Sequence, residues 1–409
     1  MPQPLVLDPT GADPDAEHRA LRAKGPAARV DILGVTAWSV TDPDLLKKLL
    51  TSPDVSKDAR RHWPQFNGAI QTWPLALWVA VENMFTAYGQ DHRRLRRMVA
   101  PAFSARRVDA LKDRVEDIVA ALLDDLEKTA PGEQVDLRDR FAYPLPIQVI
   151  SHLMGLPAGQ REGFRTLVDG VFATTLTPEQ TAANTAGLYA VLDDLIATRR
   201  AEPGDDMTSL LIAARDEDGD GSALSENELR DTLLLMISAG YETTVNLIDQ
   251  SITALLTHPE QLDDVRSGRA TWGAVVEETL RLEPAVKHLP MRFAVRDIPL
   301  PDGQVIAQGE AILASYAAAN RHPDWHGDSA ESFDITRTTP GPEHLAFGYG
   351  AHFCLGAPLA RLEAAIALRA FFDRFPHAAL AVPSDELQRV PSLITNGHQY
   401  LPVRLQPAV

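Results

Sequence analysis

The sequence predicts a mainly α-helical fold with a minor β component. From about Asp91 to Leu282, apolar residues recur with the 3.6-residue period of amphipathic helices. Between Leu289 and Ser315 the pattern changes to short alternating segments, and Pro301-Asp-Gly303 is typical of a turn between two short strands. Helical periodicity returns after Ala357 and continues toward Phe375. These observations indicate a helical core that is accompanied by small sheets.

The individual elements follow from local patterns. The first 60 residues mix short apolar runs with turns, which predicts a small sheet plus helices. Clear helical patterns occupy Val108–Leu126, Ala183–Arg200 and Glu226–Leu256. Asn396-Gly397 predicts a hairpin within Leu393–Leu401. No tandem repeat or low-complexity linker interrupts the pattern, so we expect one domain over residues 1–409.

Composition excludes several classes of partner. A net charge of −17 argues against nucleic acid or an anionic membrane as the main partner. Met1–Pro26 contains no apolar stretch, and no run approaches the roughly 18 apolar residues of a membrane helix. We therefore expect neither a signal peptide nor a membrane anchor. Cytoplasmic location is the corresponding expectation, because a single free cysteine suits a reducing compartment.

Cys354 is the only cysteine, which excludes an internal disulfide and any multi-cysteine metal centre. A structural thiol, a nucleophile and a single-thiolate metal ligand remain, and the residue alone leaves these open. Gly348, Gly350 and Gly356 allow the backbone to bend tightly and to approach a flat ligand. Backbone N–H groups of such a loop can tune a sulfur ligand.

The run Phe347-Gly-Tyr-Gly-Ala-His-Phe-Cys-Leu-Gly356, followed by Ala357-Pro-Leu-Ala360, resembles the haem-binding signature of the cytochrome P-450 superfamily. The resemblance extends over essentially the whole chain. It implies the cytochrome P-450 fold, with a long central helix over the haem, and haem b as the cofactor. Cys354 would be the axial iron ligand, with Phe347 and Gly348 beside the ring. A thiolate ligand favours O–O cleavage on the iron.

A long helix is predicted to start at the capping box Ser225-Glu-Asn-Glu228. A helix of roughly 30 residues would be about 45 Å long and would cross the domain. Its middle, Ala239–Thr244, contains glycine and adjacent threonines, which are poor helix formers. We expect a local bend or widening there, because threonine can bond back to the preceding turn.

Taken alone, that segment is compatible with a packing glycine among tolerated polar residues. Beside the cysteine loop it resembles the superfamily's oxygen-activation motif. The resemblance places Glu242 and Thr243 as an acid–alcohol pair that delivers protons. Ala239 and Gly240 would leave room for dioxygen.

Cations are expected near the two haem propionates. His92 and Arg96 are four residues apart and share a helix face, as a solvated basic stripe would also do. The resemblance identifies this segment as the propionate-binding helix and adds Arg292 and His352. Arginine binds carboxylates in a bidentate manner that lysine cannot reproduce.

A structural element of the family is also present. Glu278-Thr-Leu-Arg281 matches the Glu-x-x-Arg pattern, whose two residues can pair on a helix. The resemblance implies that this pair is buried, that Arg337 lies near it, and that the group fixes the region under the haem.

The sequence contains no nicotinamide- or flavin-binding fingerprint, so electrons from NAD(P)H would arrive through separate proteins. We expect a ferredoxin, supplied by a ferredoxin reductase, to dock at a basic patch near Arg93 and Arg97. Ordinary solvated charge is the alternative. The full patch comprises Arg93, Arg94, Arg97, Arg106 and Arg107.

The predicted activity is hydroxylation of an unactivated C–H bond by a haem-thiolate monooxygenase. Tentative substrate contacts are Met84, Phe172, Leu289 and Gln399. An apolar pocket with few polar groups suits a bulky substrate. Resemblance to an actinobacterial subgroup favours a steroid, with a macrolide next. Peroxide-driven oxidation and a haem-based gas or redox sensor remain as alternatives, although neither requires Glu242 and Thr243.

Overall fold

Helices make up most of the fold, as the 3.6-residue period predicts. The computed structural model describes residues 3–156, 161–217, 219–337 and 344–406, with the side chains of 161 and 162 excepted. The α-helices are α1 (Pro14–Arg22), α2 (Pro43–Thr51), α3 (Ala59–His62), α4 (Phe66–Thr72), α5 (Leu77–Ala80), α6 (Gly89–Val99), α7 (Ala105–Ala110), α8 (Lys112–Leu126), α9 (Pro144–Met154), α10 (Arg161–Phe172), α11 (Pro178–Ala201), α12 (Met207–Ala213), α13 (Glu226–Thr257), α14 (Pro259–Arg266), α15 (Trp272–Leu282), α16 (Tyr316–Asn320), α17 (Pro323–His326) and α18 (Ala357–Arg374).

Three small sheets accompany the helices. The strands are β1 (Leu5–Val6), β2 (Ala27–Ile32), β3 (Val35–Val40), β4 (Val55–Ser56), β5 (Gln134–Asp136), β6 (His288–Ala294), β7 (Ile298–Pro299), β8 (Val305–Ile306), β9 (Ala311–Ser315), β10 (Ala379–Leu380) and β11 (Pro402–Arg404). The largest sheet has the order β1-β2-β3-β9-β6-β4. The strand pair β7 and β8 flanks the predicted turn at Pro301–Gly303. Among the described residues, no helix is both long enough and apolar enough to cross a membrane.

The long central helix is α13, and it starts where the sequence predicts. Ser225 Oγ accepts a hydrogen bond from Glu228 N (3.1 Å), and Glu228 Oε2 accepts one from Ser225 N (2.9 Å). Most of the α13 side chains are buried, because α9, α11, α15 and α18 pack around it. The helix therefore occupies the core rather than the surface.

The expected widening of α13 is absent, because the helix is α-helical without interruption from Glu226 to Thr257. Thr243 Oγ1 donates to Ala239 O at 2.6 Å, so its hydroxyl is satisfied within the helix. A Cβ at Gly240 would lie 3.0 Å from Ile150 Cδ1. The glycine therefore permits close packing of α9 against α13 and does not mark a broken turn.

The hairpin predicted at Asn396-Gly397 is also wrong. This segment forms only isolated bridges, such as Val286 with Thr395. Asn396 N donates to Ala285 O (3.1 Å), and Lys287 N donates to Ile394 O (2.7 Å). Local pairing does occur further out, because His398 forms an antiparallel bridge with Arg389 and Val390 N donates to Gly397 O (2.9 Å). The chain therefore reverses before Asn396-Gly397, and these two residues do not form the tight turn.

A buried ion-pair cluster fixes the end of α15. Arg281 Nε and Nη2 each donate to the Glu278 carboxylate at 2.7 Å, and Arg337 Nε donates to the same carboxylate at 3.0 Å. Arg281 also donates to Ala330 O and Ser332 O. The cluster attaches residues 330–337 to α15, and the predicted contact among these three residues is present.

We expect Glu278→Ala to destabilise the fold by about 3–5 kcal/mol, because it leaves the buried Arg281 and the partly buried Arg337 without their carboxylate. Chemical unfolding and haem content per chain measure the effect, and we expect haem incorporation to be lost. The matched control is Glu116→Ala, which removes an exposed carboxylate 3.8 Å from Lys112. Recovery of the Glu278→Ala protein with wild-type yield and haem content would contradict the assigned role.

Candidate functional site

A cavity lies between the middle of α13 and the cysteine loop. The loop contributes Phe347, Gly348, His352 and Cys354 to its lining. Other predicted site residues that line it are Met84, Arg96, Phe172, Ala239, Gly240, Thr243, Leu289 and Arg292. The fold thus brings to one cavity residues that the sequence separates by more than 250 positions.

The loop places the Cys354 sulfur at the amino end of α18. Cys354 N donates to Phe347 O at 3.0 Å, and Gly348 has φ +71°, which glycine adopts without strain. The thiol is accessible from the cavity although protein surrounds it. Burial raises the pKa of Cys354, while hydrogen bonds from the backbone N–H groups of Gly356 and Ala357 oppose that effect. These donors and the helix dipole favour a thiolate.

Arg96, Arg292 and His352 line the same cavity, and His92 lies beside His352 without lining the cavity itself. Arg292 Nη1 and His92 Nε2 are buried and lack a hydrogen-bond partner. The rings of His92 and His352 have centroids 4.0 Å apart. Burial, reinforced by Arg96 and Arg93, lowers the pKa of His92 to about 4. Buried donors without acceptors are costly, which indicates that an acidic ligand group belongs here.

The arrangement fits a haem. Cys354 and its backbone donors could hold the iron, and the unpartnered donors of Arg292 and His92 could bind propionates. Arg96 adds a further cation, although its Nη2 also donates to Phe353 O at 2.8 Å. Apolar side chains such as Leu247 and Leu359 line the cavity between these groups, as a porphyrin requires.

The two residues of the predicted acid–alcohol pair face different environments. Thr243 lines the cavity, and its hydroxyl proton is engaged by Ala239 O. Its oxygen lone pairs remain available as acceptors. Glu242 does not line the cavity and is buried on another face of α13.

Arg138, which the sequence analysis missed, explains the position of Glu242. Arg138 Nη2 donates to Glu242 Oε1 at 3.1 Å, and Nη1 donates to Asp249 Oδ2 at 2.8 Å. Asp249 also accepts bonds from His398 N (2.7 Å) and His398 Nδ1 (2.8 Å). These bonds lower the pKa of Asp249, whereas burial raises the pKa of Glu242. Arg138 therefore forms ion pairs with both Glu242 and Asp249, and Glu242 is the one of the two that more readily holds a proton.

Asp169 on α10 is a second acid that the sequence did not indicate. Burial, followed by the nearby charge of Glu242, raises the pKa of Asp169 to about 7. Its Oδ1 atom is buried and has no hydrogen-bond partner. The Glu242 environment therefore includes a group that titrates near neutral pH.

Three of the four tentative substrate contacts line the cavity, and Gln399 does not. Gln399 is exposed, and its Nε2 donates to Arg389 O at 3.0 Å. Leu289 and Arg292 both reach the cavity because β6 carries one extra residue between them relative to β9. In a regular strand, residues three apart would face opposite sides.

The predicted basic surface is partly neutralised. Arg94 forms an ion pair with Glu228, and Arg97 Nη2 lies 2.9 Å from Asp216 Oδ1. Arg93 and Arg106 are exposed. The charge available to a partner is therefore smaller than the sequence suggested.

Comparison with known proteins gives consistent matches. The cytochrome P450 family model matches residues 183–268 and 272–397. A 2-hydroxy-5-methyl-1-naphthoate 7-hydroxylase from Streptomyces carzinostaticus is 41% identical, covering 98% of each chain. The structure of CYP154A1 from Streptomyces coelicolor A3(2) is 68% identical, with a TM-score of 0.94 over 98% of this chain and 100% of that one. Testosterone-bound CYP154C4 from Streptomyces sp. ATCC 11861 is 42% identical, with a TM-score of 0.94 over 100% and 99% of the respective chains.

Glu363, an acid that lines the cavity, should make the free energy of unfolding depend on pH. Burial raises its pKa from 4.5 to about 8. Between these values the folded protein holds a proton that the unfolded chain has released, so stability falls as pH rises. Glu363→Gln removes this loss, and we expect its stability relative to wild type to increase from pH 5 to pH 8, by at most about 1.4 kcal/mol per pH unit.

Urea unfolding of wild type and Glu363→Gln at each pH provides the measurement. Glu386→Gln is the control, because Glu386 is exposed. Identical pH slopes for wild type and Glu363→Gln would contradict the assignment.

Proposed function

This chain belongs to the cytochrome P450 family, and we propose that it hydroxylates an unactivated C–H bond of a bulky, weakly polar substrate. It is a haem monooxygenase whose cofactor is haem b. The observation that carries the proposal is that Cys354 and Thr243 line the same cavity, with Ala239 and Gly240 also in its wall. We propose one catalytic domain over residues 1–409.

The haem would be held by this chain's own donors. Bound haem supplies the activation of dioxygen and the transfer of one oxygen atom to carbon. Cys354 would hold the iron as a thiolate, stabilised by the N–H groups of Gly356 and Ala357. Arg96, Arg292 and His352, which line the cavity, would bind the propionates. His92 would assist them, since its ring centroid lies 4.0 Å from that of His352 and its Nε2 atom has no hydrogen-bond partner. Phe347 and Gly348 would pack beside the ring.

Protons would reach the cavity through α13. Thr243 would accept a hydrogen bond from a water or an oxygen-bound proton, because its own hydroxyl proton is donated to Ala239 O. Glu242 would hold the proton that is passed on, because Arg138 also pairs with Asp249 and therefore stabilises the charged form of Glu242 less. Its side chain must change rotamer, or act through water, to serve Thr243. Asp169 would exchange protons with the Glu242 environment near neutral pH.

A steroid is the favoured substrate and a macrolide the next. Met84, Phe172 and Leu289 give the cavity an apolar surface. Burying about 400 Å² of apolar ligand contributes about 10 kcal/mol before the costs of association. The testosterone-bound CYP154C4 structure supports the steroid, whereas the naphthoate hydroxylase shows that a related chain acts on an aromatic acid.

Electrons would come from NAD(P)H through a ferredoxin reductase and a ferredoxin. Members of this family use redox-partner proteins and bind small substrates, and we propose that the ferredoxin contacts the surface around Arg93 and Arg106. Arg97 contributes less than the sequence suggested, since Asp216 neutralises it. We propose a cytoplasmic location, which the single free cysteine supports.

Thr243→Ala should uncouple electron use from product formation. Loss of the hydroxyl removes the proposed acceptor in the cavity, so we expect most NAD(P)H electrons to appear as hydrogen peroxide and product per NAD(P)H to fall severalfold. The control is Thr257→Ala on the same helix, because Thr257 Oγ1 makes a matching bond to Thr253 O (2.9 Å) at its exposed end.

Turnover with a ferredoxin, its reductase and NAD(P)H also separates the alternative functions. Product formed only with added peroxide would favour peroxide-driven oxidation, and no product under either condition would favour a sensor. Unchanged coupling in Thr243→Ala would refute the role of its hydroxyl.

Arg93→Glu should slow reduction by a ferredoxin and flatten the dependence of the rate on salt, because it reverses an exposed charge of the proposed docking surface. Stopped-flow reduction at low and high salt measures the effect. Arg404→Glu, which makes the same charge change at an exposed position of β11, serves as the control. Equal reduction rates for wild type and Arg93→Glu at low salt would count against this surface.

Optical titration of the ferric protein tests the substrate class. A steroid that displaces water from the iron should produce a saturable low-spin to high-spin Soret shift. A shift with macrolides alone would replace the steroid assignment, and no shift with either class would remove both.

A further inference from the structure

Lys57 is a buried lysine that no part of the proposed reaction uses. It follows β4, and only 3% of its surface is exposed. Its Nζ atom lies 3.4 Å from Pro290 O and 3.5 Å from the centroid of the Phe85 ring. Within the described part of the chain, no acidic side chain forms an ion pair with it. Lysine is almost never buried in this way without a paired charge.

The positive charge of Arg292 acts on Lys57 and adds to the cost of burying this amine without an anion. Lys57 lines the cavity together with Arg292, whose Nη1 atom is buried and unpartnered. Burial first, and Arg292 second, lower the pKa of Lys57 well below its ordinary value. Glu363 lines the cavity too, yet its carboxyl group is largely protonated at neutral pH, since burial raises its pKa to about 8. Among the described residues that line the cavity, Lys57, Arg96 and Arg292 are strongly basic, and Glu363 is the one acid.

We propose that Lys57, acting with Arg292, binds a carboxylate inside the cavity. A carboxylate would give the unpartnered Arg292 donor an acceptor and would restore the ammonium form of Lys57. Without that ligand, the Lys57 amine contacts the face of the Phe85 ring and makes a long hydrogen bond to Pro290 O. These two contacts alone leave the buried amine without an anion.

The carboxylate that Lys57 binds could belong to a haem propionate or to the substrate. The position of Lys57 beside Arg292 suits a propionate. The similarity of this chain to a naphthoate hydroxylase favours a substrate that carries a carboxylate. The first source requires only haem binding. The second rests on the proposed hydroxylase function and would replace the weakly polar steroid with a substrate that carries a carboxylate.

The experiment compares Lys57→Met with Lys24→Met, which removes an exposed lysine after α1. One arm measures the rate of haem transfer from each ferric, substrate-free protein to apomyoglobin. The other arm measures binding of 2-naphthoic acid and of neutral 2-naphthamide by optical titration. Lys57→Gln, which keeps a polar head without a charge, is measured in parallel, and far-UV circular dichroism verifies folding of every variant.

At least tenfold faster haem loss from Lys57→Met and Lys57→Gln would support a propionate as the ligand. At least tenfold weaker binding of the acid, with binding of the amide and haem loss unchanged, would support a substrate carboxylate. The proposal would be overturned if both Lys57 variants lost haem at a rate within twofold of Lys24→Met and also bound 2-naphthoic acid with an affinity within twofold of Lys24→Met. Turnover of a neutral substrate by the Lys57 variants would leave the proposed function standing whichever result is found.

Discussion

The position of one sulfur atom is the constraint on which the rest of the structure depends. Cys354 is held at the amino end of α18, where backbone N–H groups of Gly356 and Ala357 stabilise a negative charge. Across the cavity, α13 presents Thr243, and Gly240 lets α9 pack close behind that helix. The Glu278–Arg281–Arg337 cluster then attaches the segment that precedes the cysteine loop to α15. Each of these features helps to fix the distance between the sulfur and the central helix.

A second constraint is the sharing of Arg138 between two acids. Asp249 receives two further bonds from His398, so it takes the charged form, and Glu242 remains the acid that readily holds a proton. The interaction accounts for an acid that lies next to Thr243 in sequence and yet faces away from the cavity. The same guanidinium group therefore affects the protonation of both acids.

Local patterns predicted the helices and the cysteine loop, but not contacts between distant segments. The capping box at Ser225 and the glycine pattern around Cys354 act within a few residues, so the sequence shows them directly. The tight turn predicted at Asn396-Gly397 does not form, because Asn396 N donates to the distant Ala285 O and Gly397 O accepts from Val390 N. Arg138 and Lys57 could not be found from one sequence, because a buried cation is recognised only by what packs around it.

The absorption spectrum of the ferrous carbon monoxide complex tests the central claim most directly. If Cys354 ligates the iron, the wild-type protein will show the strongly red-shifted Soret band of thiolate-ligated haem, and Cys354→Ser will lose that band even where it retains haem. A wild-type spectrum of the kind given by a nitrogen ligand, or an unaltered thiolate band in Cys354→Ser, would contradict the account.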